Sequence, residues 1–96
     1  MLLKIGVDIS RLKRVLRRKL QVIDTVVAEL ENDEAVITST YEGTHSPSSL
    51  HYIDEAVDIR SGEQPFSVIG KLKQELGPDF DVVFEGDHIH IEYDPK

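Results

Sequence analysis

Four histidines are the residues of this 96-residue chain best suited to metal or acid–base chemistry, and they fall in two short segments. His45 and His51 flank a Ser-rich stretch, and His88 and His90 lie two positions apart near the end. Residues two apart on a strand face the same side, so His88, His90 and Glu92 would share one face and Ile89, Ile91 and Tyr93 the other. Such a polar face carries two imidazoles and a carboxylate beside Asp87. A His pair on a strand is often plain polar surface, and His51 followed by Asp58 means little alone. Together, His51, Asp58 and one of His88 and His90 would make a three-ligand site, since neutral imidazole and carboxylate oxygen both bind Zn²⁺. Three protein ligands leave a position for water, the arrangement of a catalytic rather than a structural zinc site, with Asp87 as the base beside it. Cysteine is absent, which excludes disulfides, thiol catalysis, iron–sulfur clusters and cysteine-held zinc.

The remaining polar candidates are weaker. His45 reads as a substrate contact at a cleft rim, an alternative ligand, or an exposed loop residue. Ser49 would hydrogen-bond near the metal; no Gly-x-Ser-x-Gly supports it as a nucleophile. Arg60 would contact substrate only if it points into the site, and otherwise pairs with an acid. Glu92 supports the site or is surface.

These residues need elements to hold them. Leu12, Val15, Leu16, Leu20, Ile23, Val26, Val27 and Leu30 recur at three- and four-residue steps and predict an amphipathic helix over residues 10–31, capped by Asp8 or Ser10. The β-branched run Ala35 to Tyr41 predicts a strand, and Gly43 to Ser49, with Gly, Pro and three Ser, a loop. Ala56 to Arg60 predicts a second strand. Pro65 to Leu76 reads as a helix with Phe66, Ile69, Leu72 and Leu76 on one face, ended by Gly77-Pro78. Phe80–Phe84 and His88–Tyr93 then form a hairpin around Glu85-Gly86-Asp87. Two helices against a small antiparallel sheet make a single α+β domain spanning 1–96.

Charge is segregated along the chain. The formal charge is −7, which argues against a dedicated nucleic-acid binder. Residues 1–20 nevertheless hold seven basic side chains against Asp8 alone, while residues 21–96 hold four basic and 17 acidic, a net of −13. The basic stretch reads as a solvated helix face or as a patch for an anionic polymer such as a cell-wall component. No segment approaches the roughly 20 apolar residues of a membrane span. The opening apolar run is broken by Lys4 and Asp8, too short for a signal-peptide core. This predicts synthesis in the cytoplasm, no membrane partner, and release by other means for any work outside the cell.

Ser49-x-His51-x6-Asp58, followed by Asp87-His88-x-His90, resembles the zinc-dependent D-alanyl-D-alanine carboxypeptidase and L-alanyl-D-glutamate endopeptidase family, whose fold the hedgehog signalling domain shares. That family shows Ser-x-His-x-x-Gly-x-Ala-x-Asp and a late His-x-His strand; Ser49, His51, Ala56 and Asp58 match the first, His88 and His90 the second. The resemblance covers residues 35–96, and the flanking text looks like small phage-encoded members. It implies zinc held by His51, Asp58 and His90, with Asp87 as base and His88 supporting the oxyanion. It further implies a monomeric peptidase, carboxy- or endopeptidase, acting on the peptidoglycan stem peptide after phage-like release or as a virion-associated protein. Asp54 stands where the family has Gly, and Thr40 to Thr44 lacks the Arg that many members use for a substrate carboxylate. A non-catalytic zinc-binding module on the same scaffold, and an acidic interaction domain without metal, are the alternatives.

Overall fold

The computed structural model describes residues 1–9, 12, 14–41 and 55–95. Its elements are β1 (Leu2–Leu3), α1 (Arg14–Glu31), β2 (Val36–Tyr41), β3 (Glu55–Arg60), α2 (Pro65–Leu76), β4 (Phe80–Phe84) and β5 (His88–Tyr93). The strands form one sheet in the order β1-β2-β3-β5-β4. All neighbours are antiparallel except β1 and β2, which run parallel. This is a mixed helix-and-sheet architecture compatible with the expected α+β class. None of the described helices is long and apolar enough to cross a membrane.

The two helices and one face of the sheet enclose a single apolar cluster. Leu16, Leu20, Ile23 and Val27 of α1 and Val68, Leu72 and Leu76 of α2 bury against Ile37, Val57, Ile59, Val82, Ile89 and Ile91. The three- and four-residue spacing on α1 is thus a true core stripe, except that Val15 turns outward and is 40% exposed. The α1 start lies later than expected: Leu12 sits in a bend, Asp8 is well ahead of Arg14, and Ser10 lies outside the described residues, as does the expected loop Gly43 to Ser49. On α2, Leu72 and Leu76 of the expected row are buried and Ile69 packs against the core, but the fully buried position of the first turn is Val68, not Phe66. Phe66 is 73% exposed and stands edge-on to Phe84, centroids 5.4 Å apart. The helix begins at Pro65, so Phe66 lies in its first turn, ahead of the buried Val68.

The end of α1 is tied to the start of α2. Glu31 Oε2 accepts from the Glu63 backbone N–H and Oε1 from that of Gln64, each at 2.6 Å. Gln64, the residue before α2, makes no side-chain cap. The Glu31 carboxylate therefore supplies acceptors and a negative charge at the positive end of α2. Similarly, Asp24 Oδ1 accepts from Ala35 N–H at 3.0 Å and fixes the entry to β2.

The expected hairpin is present. Glu85 N–H donates to the His88 carbonyl at 2.8 Å, leaving Gly86 and Asp87 as the turn. Gly86 has φ 93°, and the first position of a two-residue hairpin favours a residue that tolerates positive φ.

Candidate metal centre

The polar face of β5 follows from strand alternation. Ile89 and Ile91 are buried against the helices, while His88, His90 and Glu92 are half-buried on the opposite face of the sheet. Pairing then sets their neighbours. On β3, Asp58 lies opposite His90 and Arg60 opposite His88; on β4, Val83 lies opposite His90 and Asp81 opposite Glu92.

Asp58 is the buried charged residue among those described, at 3% exposure. A buried carboxylate is costly unless it is paired, and its partners among the described residues include two imidazoles. His90 Nδ1 donates to Asp58 Oδ1 at 2.7 Å, and His88 Nε2 lies 3.5 Å from Asp58 Oδ2. The other nitrogen of His90, Nε2, donates to Glu92 Oε1 at 3.2 Å. His88 Nδ1 donates to Asp87 Oδ1 at 2.6 Å.

Glu85 completes the group. Its Oε1 is 3.6 Å from His88 Nε2 and 3.7 Å from His90 Nδ1. One donor atom each from Asp58, Glu85 and His90 lie within 4.8 Å of one another. The sequence reading took Glu85 only as part of a turn. The signal that finds it is the hairpin itself: a two-residue turn at Gly86-Asp87 puts Glu85 directly across from His88.

The protonation states follow from these contacts. The hydrogen bond to Asp87 is the main reason the His88 pKa is raised; burial opposes it, and the charges of Asp58, Asp87 and Glu85 add to it. Burial works against the charged form of His90, but the hydrogen bonds to Asp58 and then Glu92 outweigh it, so this pKa is raised too. Conversely, the hydrogen bond from His88 lowers the Asp87 pKa. An imidazole facing carboxylates without a cation must hold a proton to satisfy them. A divalent ion satisfies the same donors, so the set fits a metal chemically.

Of the residues expected at a site, Asp58, His90, His88 and Asp87 are brought together. His45, Ser49 and His51 lie outside the described residues, as does Asp54. Arg60 is exposed at the end of β3 and lines a separate cavity of about 300 Å³ with Glu31, Glu63 and Val68. Among the described residues no histidine lines that cavity, whereas an open cleft of about 870 Å³ beside β4 is bounded by Asp81, Val83, His90 and Glu92. A second trio, Asp81, Glu92 and Asp94, also converges but offers carboxylates alone. No family model, curated protein or solved structure matches the chain.

Proposed function

We propose that the cluster on β3 and β5 is the metal centre of a zinc-dependent peptidase with the hedgehog-type peptidase fold, cutting a peptide bond of the peptidoglycan stem peptide, as carboxy- or endopeptidase. The observation that carries this reading is Asp58, buried at 3% exposure and paired with His90, with His88 and Glu85 turned toward the same point. His51, from the resembling motif, is the third ligand in this reading. Zinc held there would supply Lewis acidity to the scissile carbonyl and acidity to water.

The residues around it have separable tasks. Glu92 accepts from His90 Nε2–H and so presents Nδ1 toward Asp58, the orienting role that carboxylates play behind ligating histidines. Asp87 takes the proton of the attacking water and returns it to the leaving amine. His88, held by Asp87, donates a hydrogen bond to the developing oxyanion. The cleft beside β4 gives an extended peptide a path to His90. The enzyme acts as a monomer after release from a phage-infected cell or from a virion.

One observation favours the alternative, a non-catalytic metal module. If Glu85 joins Asp58, His90 and His51, four protein ligands close the position that water needs. Two measurements decide between them. Purified wild type should carry one zinc per chain by native mass spectrometry and hydrolyse muropeptides, with metal lost in the Asp58→Ala, His90→Ala double variant. Asp87→Asn should keep its metal and lose about 10²- to 10⁴-fold in rate, whereas Glu85→Gln should lose far less. Zinc at wild-type level in the double variant would remove the site; a zinc-loaded wild type inert on every muropeptide would leave the binding module.

A further inference from the structure

The outer face of α1 carries a charge pattern that the metal centre does not use. Arg14, Arg17 and Arg18 are exposed, with Lys19 beside them half-buried. Three- and four-residue spacing makes Arg14 a neighbour of both Arg17 and Arg18. The first turn of α1 contains no acidic residue. This is the reverse of what a helix favours, because its N-terminus is the positive end of the backbone dipole and like charges one turn apart repel. The start of α2 shows the ordinary solution, with Glu31 placed against it.

No ion pair among the described residues offsets this cluster. Several described acids have partners elsewhere: Asp24 and Glu34 with the Met1 amine, Glu75 with Lys71, Glu31 with backbone, and Asp58, Glu85, Asp87 and Glu92 with the histidines. Local rules are broken in this way where a surface serves something other than folding.

We infer that the Arg14–Arg17–Arg18 face of α1 is a docking surface for a flexible, linear, phosphate-bearing polymer. Guanidinium groups grip phosphate oxygens through paired N–H donors, which favours arginine over lysine for this ligand. Flexibility and thinness follow from the rest of the molecule. Residues 21–96 carry a net charge of −13, so a stiff duplex or a flat anionic bilayer would bring its own charge against that surface. A single chain can lie on the arginines alone. The geometry also leaves the histidine cluster accessible, because α1 covers one face of the sheet and His88 and His90 occupy the other. Docking is therefore independent of whether the metal centre is catalytic.

The test uses the full chain and inorganic polyphosphate as the probe, with binding followed by fluorescence anisotropy at several salt concentrations. Wild type should bind, and more weakly as salt rises. The Arg14→Gln, Arg17→Gln, Arg18→Gln variant should lose roughly tenfold or more in affinity and show a shallower salt dependence. The matched triple Lys variant should retain part of the binding. Because these positions are exposed and mutually repulsive, the Gln variant should melt no lower than wild type, which separates lost docking from lost fold. Wild-type affinity in the Gln variant, no polyphosphate binding at about 50 mM salt, or tighter binding to duplex DNA or phosphatidylglycerol vesicles than to polyphosphate would each overturn the assignment.

Discussion

Asp58, His88, His90 and Asp87 form a chain of charge-assisted contacts whose state depends on pH. The histidine pKa values are raised, so their pairing stabilises the fold fully below the unfolded value of about 6.5 and is lost as pH rises through the folded values. Asp87 works in the other direction. Its pKa is lowered, so its contribution is present above about 3.9 and disappears as pH falls through the folded value. Chelator-treated protein should therefore resist urea better at about pH 5.5 than at about pH 8.5. His90→Gln should reduce that difference, and added zinc should reverse it, since zinc competes with protons for the same imidazole and binds better as pH rises. Metal-free wild type more stable at the higher pH would refute the pairing. At this scale parity placed the histidines: two residues apart means one face, and Ile89 and Ile91 are buried on the face opposite His88 and His90. What parity could not supply was Glu85, which enters through a backbone turn and has no periodic relation to the histidines.

Among the elements, the polar tie from the end of α1 to the start of α2 is made by one side chain, Glu31. A Cβ at Gly62 would overlap the Glu31 carboxylate, so Gly62→Ala must push Glu31 off the Glu63 and Gln64 amides. Glu31→Ala should cost about 1 to 2 kcal/mol, as removal of a helix cap with a charged acceptor does. Gly62→Ala should cost a similar amount by the same route, and the double variant no more than Glu31→Ala alone. Additive losses in urea titrations would show that the two residues act separately. Helix and strand positions were legible because apolar spacing and β-branched runs mark them, and β2 and β3 lie within one residue of expectation. Two features escaped. The short β1, Leu2–Leu3, was hidden because two residues hold no period, and its parallel pairing to β2 is set by tertiary docking. On α2, helical spacing puts Phe66 on one face with Ile69, Leu72 and Leu76, but the buried row starts at Val68.

For the whole molecule, the layers place the arginine face outside the helices and the histidine cluster outside the sheet. The charge segregation behind this was plain in the sequence; the opposition of the two surfaces needed the fold. The strand order β1-β2-β3-β5-β4 puts β3 and β5 in the sheet interior, each hydrogen-bonded on both sides, and Asp58, His88 and His90 all stand on these two strands. Edge strands can fray without separating them. In deuterated solvent, amides exchange first where local opening is cheap and last where only global unfolding frees them. The amides of Val57, Ile59, Ile89 and Ile91 should be among the slowest, and those of β1 and the first turn of α1 among the fastest. Equal exchange rates in the two groups would mean that β3 and β5 open with the edges. The expected order makes the strands that carry the site the last part of the sheet to come apart, so the Asp58–His90 pair persists through the breathing motions that loosen the rest.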